Sequence, residues 1–145
     1  MAENAFLSKY HKAVVSAMGD QAEKVKPRIA SQWVKEWQRQ LGGPIEDPDD
    51  FARRFERFLS GELGFADTTH VTMDGDLLSI EVAGCSICFG NELLRKEGKQ
   101  TLCPILSTGL MAISRVLGKK ATLLGVDKDG TVGNCTIRYR LAEKS

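Results

Sequence analysis

The first half of the chain repeats apolar residues at helical spacing. The earliest large apolar side chains recur at every fourth position: Phe6, Tyr10, Val14 and Met18. Such spacing places side chains on one face of a helix, and glycine is common just past a helix end. We therefore predict an amphipathic helix that ends at Gly19 and whose apolar side needs a covering surface.

A second helix is predicted after Pro27. Its apolar side chains recur at the same spacing: Ile29, Trp33, Trp37 and Leu41. The run Gly42-Gly43-Pro44 follows, and glycine and proline together stop a helix firmly. We expect this helix to bury its two tryptophans, because stripes of this kind are usually packed helix faces.

A third helix is predicted to begin at Asp47-Pro48. Aspartate is a favoured N-cap, and proline is favoured at the first helical position. The apolar stripe of this helix is mainly aromatic: Phe51, Phe55, Phe58 and Leu59. Its role is either core packing or, less often, the wall of a pocket.

The second half of the chain alternates apolar and polar residues, as strands do. Leu78, Ile80 and Val82 alternate with polar neighbours after Asp74-Gly75, a strong hairpin signal. Residues 95–100 are typical of a polar loop, and a helix is predicted over residues 104–117. A second hairpin is predicted from a strand at 121–126, a turn at 127–130 and a return strand at 131–141.

This order of elements predicts an α+β fold. We expect N-terminal helices packed on an antiparallel sheet of about four strands, with one further helix between two hairpins. At 145 residues the chain is expected to be one domain, 1–145, with a helical part at 1–64 and a hairpin-helix-hairpin part at 65–145.

Composition and charge narrow the class of partner. The chain is 42% hydrophobic and 27% charged, and its 20 basic and 19 acidic residues give a net charge of +1. Because no basic face is concentrated in the sequence, no nucleic-acid partner is expected. No apolar run approaches the ~18 residues of a membrane span, and no secretory pattern opens the chain. We expect no membrane insertion and a cytoplasmic location.

Four cysteines form the main candidate site. Cys85 and Cys88 are separated by two residues, Cys103 precedes a predicted helix, and Cys135 lies on the inward face of the last predicted strand. Four thiolates suit zinc, and a C-x2-C pair with two further cysteines can also hold an iron–sulfur cluster. Two other interpretations stay open: inert core thiols, and redox or nucleophilic use of Cys103, whose thiolate a helix N-terminus would favour.

Few residues favour catalysis. The sequence has two histidines, His11 and His70, and no clear Cys-His-Asp arrangement, so a binding protein is favoured over an enzyme.

Residues 80–141 resemble the 4-vinyl reductase-type domain, also called the hydrocarbon-binding protein family. Three segments carry the resemblance: Gly84-Cys85-Ser86-Ile87-Cys88 at a strand end, Cys103 opening an apolar helix that closes with Leu117-Gly118, and the closing run 133–139 with Cys135. The glutamate-cysteine pair usual before the last cysteine is replaced by Val126-Asp127-Lys128-Asp129.

The resemblance implies a module that binds a small apolar or aromatic molecule. It also implies zinc held by the cysteines and a homodimer formed through the N-terminal helices. We expect the metal ligands to be Cys85, Cys88, Cys103 and Cys135. We expect the aromatic helix faces to enclose the ligand pocket: Trp33, Trp37, Phe51, Phe55 and Phe58. The alternative is an enzyme or accessory factor for a small aromatic or tetrapyrrole-like substrate, acting through an iron–sulfur cluster or a reactive Cys103.

Overall fold

In the structure, a computed structural model, helices precede and follow the first hairpin along the chain. The strands of both hairpins form one sheet. The structure describes residues 2–144, with side chains from Ala5 onward. The α-helices in this range are α1 (Ala2–Met18), α2 (Ala22–Leu41), α3 (Pro48–Arg57), α4 (Ser86–Lys96) and α5 (Pro104–Ala112). The strands are β1 (Thr68–Asp74), β2 (Leu77–Ala83), β3 (Lys120–Asp127) and β4 (Cys135–Ala142). The predicted α+β class is confirmed.

The sheet is antiparallel throughout, in the order β1-β2-β4-β3. The last strand therefore lies inside the sheet, next to β2, and the two hairpins are joined edge to edge. The inner face carries a buried row that includes Leu78, Ile80, Ile137 and Tyr139. One core cluster unites this face with α2, α3 and α5.

Capping residues set the C-terminal end of α2 and the N-terminal end of α3 as predicted. The Asp47 carboxylate accepts a hydrogen bond from the Asp50 amide at 3.3 Å, and Pro48 is the first helical residue. Gly42 closes α2 in the left-handed conformation, with φ of 74°. The last turns of α3 and α5 widen into π-helical segments, Phe58–Leu63 and Ile113–Leu117, which end at Gly64 and Gly118.

The predicted start of α2 after Pro27 is wrong. The helix begins at Ala22, and Pro27 lies inside it. Proline at this position removes one backbone hydrogen bond, and its ring crowds the carbonyl of Glu23 four residues earlier. The first turn is meanwhile held by packing, because Ala22 is buried in a second core cluster with Val15, Leu94 and Leu102.

A helix replaces part of the predicted loop after Cys88. Residues 86–96 form α4, so two helices, rather than one, lie between the hairpins. Its buried side chains, Asn91 and Leu94, and the half-buried Ile87 lie three or four positions apart, which is helical spacing. Arg95 and Lys96 belong to its last turn, and Gly98 follows with φ of 68°.

α1 packs on α4 through the edge of its predicted apolar stripe, at Val15, and not through the centre of the stripe. Within the described chain Val15 is buried, whereas Phe6 is 65% exposed and Tyr10 is 60% exposed. His11 Nε2 lies 2.8 Å from the Asn91 Oδ1, and Asn91 also bonds both backbone groups of Leu102. Phe6 and Tyr10 therefore remain uncovered, whereas Met18 at the end of the helix packs against the second core cluster.

The two hairpins turn at slightly different places from those predicted. The first loop is Gly75-Asp76, because Asp74 and Leu77 are paired, and Gly75 supplies a φ of 62°. The predicted return strand from residue 131 is too long, since β4 begins at Cys135. The Asp129 carboxylate accepts from the Thr131 amide at 2.8 Å, which holds the intervening loop in a turn.

No helix among residues 2–144 combines the length and the hydrophobicity of a membrane-spanning segment.

Candidate cysteine site

Backbone hydrogen bonds join the segments that carry the cysteines. β2 ends at Ala83, and Gly84 turns the chain with φ of 70°. The Gly84 amide donates to the Asn134 side-chain oxygen at 3.2 Å, and the Cys85 amide donates to the Gly133 carbonyl at 2.9 Å. The exit of β2 is thus fastened to the loop before β4.

The structure places Cys85, Cys88 and Cys135 in hydrogen-bonding contact, with Cys103 near enough to interact with them electrostatically. Cys85 is the N-cap of α4 and is buried, while Cys88 lies in the first turn of that helix. Cys135 begins β4 and is paired in register with Val82. Cys103 is the N-cap of α5. All four are free thiols.

Cys88 is the centre of the cluster, because its sulfur is hydrogen-bonded to the thiols of both Cys135 and Cys85. These bonds, first that from Cys135 and then that from Cys85, lower the pKa of Cys88 far below the usual thiol range. The positive charges of Lys128 and Arg95 act in the same direction.

The neighbouring thiols shift the opposite way. The bond to Cys88, followed by burial, raises the pKa of Cys85 and also that of Cys135. These opposite shifts favour the thiolate form at Cys88 over Cys85 and Cys135.

Cys103 departs from the expectation of an activated thiolate. Part of the residue is accessible, but its sulfur lies deep enough that burial raises the pKa. The amides of Ile105 and Leu106 bond the sulfur and lower the pKa, as a helix N-terminus should, yet burial outweighs them. The helix amides thus act on Cys103 in the expected direction, but the net shift of its pKa is upward, and the thiol whose pKa is lowered is Cys88.

The donor set suits a soft metal, although the side chains are not placed as ligands. Within residues 2–144, no three His, Cys, Asp or Glu side chains surround one point as a metal site would require. The thiols of Cys85 and Cys135 are instead hydrogen-bonded to Cys88. Their chemistry matches a zinc or iron–sulfur site with four cysteine ligands, and their closeness does not prevent either.

The five aromatic residues predicted to line a pocket form part of the core. Trp37 stacks on Phe58 with ring centroids 5.1 Å apart, and Phe51 stacks on Phe55 at 5.3 Å. Trp33 is half-buried at the edge of the same cluster. These rings fill the space between them. A cavity of about 290 Å³ touches two of them, Trp37 and Phe58.

Two other cavities lie beside the cysteine cluster. The first, the cationic cavity, has a volume of about 340 Å³ and is lined by Cys88, Glu92, Arg95, Lys128 and residues 130–134. The second, the apolar groove, has a volume of about 500 Å³ and is lined by Ala5, Ser8, Lys9, Phe89, Glu92, Leu93, Lys96 and Val132. They adjoin, because Glu92 and Val132 line both.

The lining residues of these cavities were missed because α4 was not predicted. On a helix, Phe89 and Leu93 fall on one face, as do Glu92 and Lys96, since each pair is four residues apart. That spacing was the available signal. Lys128 and Val132 reach these cavities through the conformation of the loop before β4, and no local sequence pattern predicts that conformation.

His70 lies outside the cluster. Its Nδ1 is 3.6 Å from the Glu56 carboxylate, and the residue is exposed on β1. It lines a cavity of about 230 Å³ that Cys135 also borders, together with Glu81 and Asp127.

Comparison of the chain with protein-family models gave no match, and comparison with curated protein sequences gave none either.

Proposed function

We propose that the protein is a small-molecule-binding module whose four clustered cysteines hold one zinc ion. The observation that carries the proposal is that Cys88 is hydrogen-bonded to both Cys85 and Cys135 and that Cys103 interacts electrostatically with these residues, although the four cysteines come from three separate stretches of chain. Four thiolates would occupy all four coordination positions of a tetrahedral zinc ion. Because no position would be left for water, the ion would stabilise the fold rather than activate a water molecule.

Metal binding would require the thiols to exchange their mutual hydrogen bonds for the ion. Cys88 is already disposed toward the thiolate form, and the other three would lose their protons to the solution on binding. Inert core thiols explain the arrangement less well, because three of the four residues are only partly buried and the fourth is bonded to one of them.

The apolar groove between α1 and α4 is the proposed ligand pocket. Its volume of about 500 Å³ falls within the ~300–1,000 Å³ that is usual for small-molecule sites. Phe89, Leu93 and Val132 supply apolar contact surface. The aromatic cluster of α2 and α3 is less suited, since its rings already occupy the interior.

The exposed side of α1 is the proposed dimer surface. Phe6 stacks on Tyr10 with ring centroids 5.9 Å apart, and Leu7 and Val14 extend the same apolar area. A contiguous apolar patch on a small protein is typical of an interaction site. A second copy of α1 would cover it.

Kinship with the 4-vinyl reductase-type domain is also a proposal. It is supported by the three cysteine-bearing segments, which belong to one cluster here. A cytoplasmic location suits this proposal, because a reducing compartment keeps four adjacent thiols free to bind metal.

Elemental analysis and an absorption spectrum of one sample, purified without chelator, test the metal proposal. We expect close to one zinc per chain and no visible absorption. Iron with a visible band would replace zinc by a cluster and favour the alternative function. Protein with neither metal, and unable to take up zinc, would overturn the metal site.

A further inference from the structure

We propose that the ligand is an amphipathic organic anion, with its acidic group in the cationic cavity and its apolar part in the apolar groove. This inference rests on the proposed small-molecule binding and adds the chemical class of the ligand. It follows from the way in which the two cavities adjoin and from the charges around them.

The cationic cavity presents two positive side chains from different elements. Arg95 comes from the last turn of α4, and Lys128 comes from the loop after β3. Among the described residues, no hydrogen bond or ion pair engages the Lys128 ammonium. Arg95 bonds Glu92 through one terminal nitrogen at 3.2 Å. A guanidinium has five donors, so most of its capacity is left for a ligand.

The apolar groove continues directly from this cavity. Glu92 and Val132 form the wall that they share, and Phe89 and Leu93 line the apolar side. A molecule with a short hydrocarbon body can therefore lie in the groove while its head group reaches Arg95 and Lys128.

The charge balance of the two cavities favours an anion. Together they are lined by four cations, Lys9, Arg95, Lys96 and Lys128, against the carboxylate of Glu92 and the thiol of Cys88, whose lowered pKa favours the anion. The chain as a whole carries a net charge of only +1. Positive side chains therefore outnumber negative ones around this opening. A carboxylate or phosphate gains charge-assisted hydrogen bonds there, whereas a neutral molecule of the same shape does not.

Octanoate and octanol test the proposal, because they differ mainly in the charge of the head group. Calorimetric titration of the purified full chain should show octanoate binding about tenfold more tightly, the scale expected for charge-assisted contacts that are partly screened by water. The double variant Arg95→Gln, Lys128→Gln should remove this preference and leave octanol binding unchanged. The control Lys35→Gln alters an exposed lysine on α2, outside both cavities, and should keep the preference.

Inorganic phosphate supplies the second arm of the test. Phosphate should compete with octanoate and leave octanol bound, because only the acidic group needs the cationic cavity. The inference is overturned if octanoate binds no more tightly than octanol, if the double variant keeps the preference, or if phosphate competes with neither probe.

Zinc is measured in the same samples so that the two proposals can fail separately. Octanoate preference in protein that takes up no zinc would support the anion site and overturn the zinc site. Zinc-loaded protein that binds neither probe would overturn the anion site and the groove, and it would leave the metal site standing.

Discussion

The backbone amide of Cys85 donates to the carbonyl of Gly133 at 2.9 Å, which ties the start of α4 to the loop that leads into β4. This bond places the Cys85–Cys88 pair beside Cys135. Gly133 allows it by adopting φ of 99°, a conformation that other residues rarely take. A Cβ at this position would lie 3.0 Å from the Phe89 ring and 3.3 Å from the Cys85 nitrogen.

Gly133→Ala should therefore weaken the cysteine site. The left-handed backbone costs an alanine about 1–2 kcal/mol, and the added methyl presses on Phe89 and Cys85. We expect a lower free energy of unfolding and weaker zinc binding. Gly130→Ala is the matched control, because Gly130 has φ of 97° in the same loop and a Cβ there meets nothing within 4 Å. Equal zinc affinities for the two variants would contradict the role given to the Cys85–Gly133 contact.

Gly109→Ala should destabilise the core although alanine is the better helix former. A Cβ on Gly109 would lie 2.2 Å from the Tyr139 hydroxyl oxygen, which donates to the Leu106 carbonyl at 3.0 Å. Overpacking of this kind costs about 1–3 kcal/mol. Gly61→Ala meets no atom within 4 Å and should be close to neutral. Chemical denaturation of both variants measures the difference, and a stable Gly109→Ala protein would contradict the packing described for Tyr139.

Tyr139 should also make the protein sensitive to alkali. Burial raises the pKa of its hydroxyl above the usual value. Below the unfolded-state pKa of about 10, tyrosine is protonated in both states, so its contribution to stability is complete. Above that pH the unfolded chain releases the proton and the folded chain keeps it, so unfolding becomes more favourable by up to about 1.4 kcal/mol per pH unit.

Tyr139→Phe measures this contribution, because phenylalanine cannot ionise. The variant loses the bond to Leu106 and should be less stable at neutral pH. Its free energy of unfolding should then fall less steeply than that of the wild type between about pH 10 and pH 11. Parallel curves would show that Tyr139 ionises equally in both states.

The exposed face of α1 predicts the oligomeric state. Phe6→Ser with Tyr10→Ser removes the two most exposed aromatic rings of the patch and should convert a dimer into a monomer without unfolding it. Leu124→Ser with Val126→Ser is the control, since both residues are exposed on β3, away from α1. Light scattering after gel filtration distinguishes the species. A wild-type monomer at micromolar concentration would contradict the proposed interface.

Local signals were enough to predict most elements, and non-local pairing decided the rest. Asp47-Pro48 and Gly42 fix their helix ends through contacts within a few residues, so the sequence predicts them. Helix α4 was not predicted, and its polar last turn, with Arg95 and Lys96, has the composition of a loop. Its helical state depends on the burial of Leu94 against Val15 and Ala22.

In the cysteine cluster, too, one part follows from local sequence and the other from non-local pairing. The C-x2-C spacing indicates a pair, but the meeting with Cys135 depends on the pairing of β2 with β4, in which Val82 faces Cys135. That register joins residues far apart in the chain and is set by the whole sheet. Likewise, the raised pKa of Cys103 depends on how deeply its sulfur is covered, which the spacing does not reveal.

Zinc affinity of the wild type and of Cys135→Ser, measured by competition with a chromogenic chelator, tests the central claim most directly. The proposed site uses Cys135, the first residue of β4, as its fourth ligand. The Cys135 thiol is hydrogen-bonded to Cys88, which places it beside the other ligands. We expect one zinc per chain in the wild type and an affinity at least about a hundredfold lower in the variant, since even outer-shell losses cost about 10–100-fold. Equal affinities would contradict a four-cysteine site, and a wild type that binds no zinc would contradict a metal site altogether.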